Sequence, residues 1–157
     1  MNRQAKIRIL VAVILILVLS GCGKKKEDKL ADYCDQMTRF YDQVAEINDT
    51  INGIDPDRAD ASEELLSALD RLNGIFSEMS EYEVPEEFAA MGDLPQEAAS
   101  YMDKAVTSYH EAYGGEYDEA AEYLAGEYYE RANIRIRYML SILHGDSEPE
   151  SETDPEE

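Results

Sequence analysis

Tryptophan is absent, cysteine and histidine occur twice each, and 14 basic residues face 35 acidic ones. Each shortage excludes something. A net charge of −21 argues against nucleic acid as a partner, because a phosphate backbone demands a basic patch. Two cysteines cannot build a disulfide framework, and no Cys or His spacing suits zinc. There is no glycine-rich phosphate loop, no Gly-x-Ser-x-Gly elbow and no His-Glu-x-x-His pair. No catalytic residue, cofactor or metal ligand is therefore assigned. The longest apolar run, Ile9 to Leu19, is about half of the roughly 20 residues a helix needs to cross a bilayer.

What the chain does have begins with that run. Arg3, Lys6 and Arg8 precede it, and Leu19-Ser20-Gly21-Cys22 closes it. A basic start, a short apolar stretch and small residues before a cut site form an export pattern. Residues 19–22 resemble the lipobox of bacterial lipoproteins. The resemblance implies a diacylglyceryl group on the Cys22 sulfur and cleavage between Gly21 and Cys22. The mature chain is then anchored at the extracytoplasmic face of the cell membrane, and the same resemblance points to a Gram-positive cell. The residue types suit this chemistry. A thiolate is a good nucleophile, and Ser20 and Gly21 leave the backbone open to a peptidase. The alternative is a retained transmembrane helix, which would need apolar residues beyond Leu19, where a polar stretch follows instead.

Lys24, Lys25 and Lys26 come next. They can sit on anionic headgroups, each worth about 1 kcal/mol near such a surface, or serve as a solvated tether. Removal of the leader takes three basic residues and leaves 11 against 35 acidic, a net −24. That charge holds the body away from an anionic bilayer. With Cys22 acylated, Cys34 has no partner within the chain. It is expected to be buried as a small apolar side chain, or else to be free for an intermolecular bond.

The organisation expected is a signal peptide at 1–21, a lysine-rich tether at 22–29, one helical domain at 30–144 and an acidic tail at 145–157. The tail has two prolines and no basic or bulky apolar residue, so disorder is expected. In the domain, Leu30, Met37, Val44 and Ile51 repeat every seven residues, with Tyr33, Phe40, Ile47 and Ile54 three residues later. This is an a/d seam. Asp28, Asp35, Asp42 and Asp49 lie opposite, as a solvated face. A second helix is expected after Asp55-Pro56, capped by the Asp, with a stripe from Leu65 to Tyr82. Val84-Pro85 breaks the pattern, Glu86 to Met91 suggest a turn of helix, and Asp93-Leu94-Pro95 open a third helix. It runs with Ala98, Tyr101, Met102, Ala105, Tyr109, Ala112 and Tyr113 on one face until Gly114-Gly115.

A fourth helix is expected from near Glu116, with Tyr117, Ala121, Leu124, Tyr128, Ala132, Met139, Ile142 and Leu143 inward. Its acids come early and its arginines late, which complements the helix dipole, and Glu127 can pair with Arg131. Asn133 to Tyr138 alternates like a strand but has no partner run, so it reads as helix. The fold class is all-α: an up-and-down four-helix bundle, with the Ala-rich third and fourth helices packed closest. The alternative is a three-helix bundle with a loose first helix.

Eight of the eleven tyrosines fall between Tyr101 and Tyr138. Tyrosine has an apolar body and a polar tip, which suits a wet groove as well as the rim of a core. Arg135 falls on the apolar face of the fourth helix. It either holds a carboxylate ligand among tyrosines or packs its stem inside and reaches out with its head. Tyr101, Tyr109, Tyr113, Tyr128 and Arg135 are the candidate ligand groove. His110, beside Glu111, lacks a second ligand at helical spacing and reads as an exposed helix residue.

Val84-Pro85-Glu86-Glu87-Phe88, then Ala98, Tyr101, Ala105, Tyr109 and Ala112-Tyr113, then Tyr128 and Ala132-Asn133, form a pattern similar to small helical lipoproteins of Gram-positive bacteria. In this chain Ala89, Ala90 and Met91 stand where that pattern carries a polar residue, often His. The resemblance implies a helical fold and an envelope location rather than an activity. The expectation is a membrane-anchored, non-enzymatic binding or interaction module, its partners the membrane and an envelope protein. The alternative is a protein that binds a small ligand or cation in the tyrosine groove.

Overall fold

The computed structural model describes the backbone of residues 3–145 and the side chains of residues 26–145. Gly21, Cys22, Lys24 and Lys25 lie outside the described side chains, and the acidic tail from residue 146 lies outside the described chain. The fold is an all-α bundle, with no strand among the described residues. Its elements are α1 (Arg3–Asn52), α2 (Ala61–Ser80), a 3-10 segment (Glu86–Met91), α3 (Leu94–Tyr113) and α4 (Glu119–His144). Among the described residues no helix is long and apolar enough to cross a membrane.

The heptad seam of α1 is the face that packs. Tyr33, Met37, Phe40, Val44 and Ile47 are buried, and the four aspartates of the opposite face are exposed. The helical backbone also runs through residues 22–29, where a tether was expected. Lys26 Nζ lies 2.8 Å from Glu86 and Lys29 Nζ 2.7 Å from Glu83. These pairs join that turn to the segment leading into α3, although their exposure makes each a weak tie. Lys26 thus meets a carboxylate of the domain itself.

The second helix starts later than Asp55-Pro56 suggests. Asp55 accepts a hydrogen bond from the Asp57 amide at 3.1 Å, and the Arg58 amide returns to the Asp55 carbonyl at 3.2 Å. With Pro56 between them, this is a turn rather than a helix cap. Arg58 then binds Asp60 and Glu64 at 2.6 and 3.0 Å, and α2 begins at Ala61. Its buried residues are Ala68, Leu69, Leu72, Phe76 and Met79. Pro85 and Gly92 (φ 49°) bracket the 3-10 segment. Its Met91 is buried and its sulfur accepts a 3.1 Å hydrogen bond from Tyr33.

Four sets of contacts fix the helix directions. Phe40 meets Phe76 edge-on at 5.3 Å, which, with Lys29 at Glu83, sets α1 antiparallel to α2. The Gln96 side chain donates to the Ser80 carbonyl at 3.0 Å and Asn73 to Asp103 at 3.1 Å, so α2 and α3 are antiparallel. Arg135 reaches Glu97 while Tyr113 reaches Glu122, so α3 and α4 are too. Tyr41 donates to the Ile136 carbonyl at 2.7 Å and Tyr129 to Asn48 at 2.9 Å, and α1 closes against α4. The first helix is therefore part of the bundle.

The contact between α3 and α4 is the most extensive in the molecule, as their alanines suggest. Ala98, Ala105, Ala112, Ala125 and Ala132 are fully buried. The start and inner face of α4 differ from expectation. Asp118 is the cap: its Oδ1 accepts from the amides of Ala120 and Ala121 at 2.9 and 3.2 Å. Ala121, Ala125, Ala132, Ile136 and Met139 face inward, while Tyr117 and Leu124 are 55% and 42% exposed. Close approach admits small residues, so the alanines set the rotation of α4 and push the larger pair out. Residues 133–138 are helical.

Candidate functional site

The five groove candidates separate into two clusters along α3 and α4. Periodicity explains why. Tyr101, Tyr109 and Tyr113 flank the buried stripe Ala98, Met102, Ala105 and Ala112, and are each half-buried. They are pushed to the rim of a seam that has no room for rings. Their flat bodies pack beside the alanines at the rim of the core.

The first cluster holds Tyr101, Tyr128 and Arg135. The two rings stack with centroids 6.3 Å apart and planes 29° apart. The Arg135 guanidinium lies 4.8 Å from the Tyr101 centroid, and its Nε donates to Glu97 Oε2 at 3.1 Å. Its side chain is 20% exposed. Two further cations join. Lys104 Nζ lies 5.3 Å from the Tyr101 centroid and 5.7 Å from that of Tyr128, and the Arg131 guanidinium lies 5.9 Å from Tyr101. Each such contact is worth about 0.5–1 kcal/mol at an exposed site. Sequence reasoning did not assign Lys104 or Arg131 to this site. Their mark was spacing, since each stands three residues after a tyrosine, Tyr101 and Tyr128. Arg131 turns to the ring rather than to Glu127. Among the described residues neither Lys104 nor Arg131 has a carboxylate within ion-pairing distance.

The second cluster holds Tyr109 and Tyr113, with Tyr117 added. Tyr109 and Tyr113 lie 6.4 Å apart at 17°, and Tyr113 and Tyr117 5.7 Å apart at 42°. Both the Tyr113 and Tyr117 hydroxyls donate to the Glu122 carboxylate. Those two donors hold the Glu122 carboxyl below the usual carboxylate range. Tyr113 is pushed up, first by burial and then by its bond to Glu122. Tyr117 is raised chiefly by that same carboxylate, and Tyr109 chiefly by burial. This cluster uses its charge internally.

His110 Nε2 lies 2.7 Å from Asp70 Oδ1 on an exposed surface, bridging α3 to α2 as an exposed helix residue does. Among the described residues no group of three or more His, Cys, Asp or Glu is placed to hold a metal ion. Cys34 is a free thiol that is only half-buried, less than its expected burial. A cavity of about 350 Å³ opens between Lys29, Val84 and Pro85, with one of about 170 Å³ beside Tyr33 and Gln36. Neither is lined by the groove tyrosines. Chemically, the first cluster sets three cationic side chains around two stacked rings, with one carboxylate, Glu97, bound to Arg135.

No family model matches the chain, and no curated protein or solved structure matches it either.

Proposed function

We propose that this chain is a lipid-anchored, extracytoplasmic, non-enzymatic binding protein of the cell envelope. Its body is an up-and-down four-helix bundle, and it takes a small anionic ligand on the tyrosine seam of α3 and α4. The lipobox resemblance at Cys22 supports the location, and the antiparallel contacts support the topology. The observation that carries the ligand reading is the pair Lys104 and Arg131. In a chain with 35 acidic and 14 basic residues, these two cations lean on Tyr101 without a carboxylate partner among the described residues.

Three experiments test this reading. Intact mass of the chain extracted from membranes should show loss of residues 1–21 and a diacylglyceryl adduct on Cys22; an unmodified thiol there would remove the anchor. Thermal shift with acetate, glutarate and phosphate should raise the melting temperature for at least one of them, since a ligand of the folded state must stabilise it. Arg135→Met separates packing from binding. A melting temperature equal to or above wild type together with unchanged ligand uptake would assign Arg135 to packing alone.

A second reading, contact with an envelope protein, is favoured by the start of α4. Tyr123 is 72% exposed, and Tyr117 and Leu124 are exposed beside it. A photo-crosslinker at position 123 should then capture one consistent membrane protein.

A further inference from the structure

Leu124, Tyr128, Arg131 and Arg135 share one face of α4 by their helical spacing. Arg131 and Arg135 are four residues apart, about 6 Å along the axis, and Lys104 reaches the same strip from α3. One carboxylate, Glu97, is bound there, to Arg135. The sequence after Gly145 has a matching period. Asp146, Glu148, Glu150, Glu152, Asp154 and Glu156 alternate with uncharged residues. In an extended backbone alternate side chains share one side, about 6.5–7 Å apart. The rise from Arg131 to Arg135 and the step between successive acids are therefore nearly equal.

Reach permits the contact. Arg135 is ten residues, or about 15 Å, from Gly145 along α4, whereas twelve extended residues span about 40 Å. Gly145 adopts φ 71° and closes the helix with its amide on the Ile142 carbonyl, so α4 ends at that point. Single exposed ion pairs contribute little. A tethered segment, however, is present at roughly millimolar effective concentration.

We propose that the Lys104–Arg131–Arg135 strip is a docking surface for an extended acidic peptide with a carboxylate at every second residue. Its occupant is this chain's own C-terminal segment, residues 146–157. The inference rests on the anion site proposed above and names a competitor for it. A small anionic ligand must displace the segment.

The test compares the full chain with a full-length variant carrying Glu148→Gln, Glu150→Gln and Glu152→Gln. At low ionic strength, NMR should show differences centred on Lys104, Arg131 and Arg135. They should fade near 1 M salt, where the screening length falls to about 3 Å. Glutarate should bind the variant about fourfold tighter, as expected if the segment covers the strip about three-quarters of the time. Superimposable spectra with equal glutarate affinity overturn the docking and leave the anion site standing. Spectral differences without glutarate binding keep the docking and remove the small-ligand reading. Differences that vanish on dilution overturn the assignment to the chain's own segment, because the occupant is then another copy's.

Discussion

The two sides of the bundle are held by different means. α1 and α2 meet through large side chains, with Phe40 against Phe76 and Met37, Leu72 and Met79 buried around them. α3 and α4 meet through buried alanines. An alanine buries little area by itself, so the alanine side gains its cover from tyrosines along the rim. The lesson is that close helix packing and an aromatic surface strip have one cause. The side that packs with large residues keeps its rings inside. The side that packs with small ones displays them, and there Lys104, Arg131 and Arg135 lie over the Tyr101 ring.

The largest expected effect breaks the first side. Phe76→Ala should cost about 3–5 kcal/mol, read from denaturant midpoints. On the second side the same chemistry runs in reverse. Ala105→Leu should cost about 1–3 kcal/mol by overpacking, and a neutral result would show that α3 and α4 are not closely packed. Next in size is the cap of α4. Asp118→Ala should lose about 1 kcal/mol, whereas Asp93→Ala should lose less, because the Asp93 side chain makes no capping bond.

The two sides should also differ in their response to pH. Burial pushes Tyr33, on α1, from 10.0 to about 12. Its contribution is therefore complete below pH 10 and lost as pH rises through 12. Tyr33→Phe should flatten the alkaline fall in melting temperature. Glu122, on α4, has its pKa lowered, so its contribution is present above the ordinary Glu range and lost as pH falls through the lowered value. Glu122→Gln should melt below wild type near neutrality and converge with it in acid. The smallest effect belongs to the exposed pairs near the start of the domain: Glu83→Gln should leave the melting temperature unchanged within error.

The same contrast explains what was legible in the sequence. The seams of α1 and α2 were readable because large apolar residues recur at fixed intervals, and every residue from Tyr33 to Ile47 on that seam is buried. At residues 55–60 the sequence suggests a helix start where the chain makes a turn, because Asp-Pro opens turns and helices alike. What distinguishes them here is the backbone after Asp55: the Arg58 amide closes a turn on the Asp55 carbonyl, the Ala61 amide closes another on Arg58, and the helix begins only at Ala61. The rotation of α4 was harder, since alanine scores weakly as a core residue while Tyr117 and Leu124 score strongly. The site was half legible. Tyr101, Tyr128 and Arg135 come together, whereas Tyr109 and Tyr113 belong to the Glu122 cluster. Lys104 and Arg131 were hidden because a lysine or arginine on an exposed helix face is ordinary until its ring and its missing partner are seen.

The most direct measurement is a calorimetric titration of glutarate into the wild-type chain and into the Lys104→Gln, Arg131→Gln double variant at low ionic strength. Saturable binding to the wild type, weakened at least about tenfold in the variant, a loss of about 1.4 kcal/mol, is the expected result. No heat with either protein, or equal affinity for both, would contradict an anion site on the tyrosine seam.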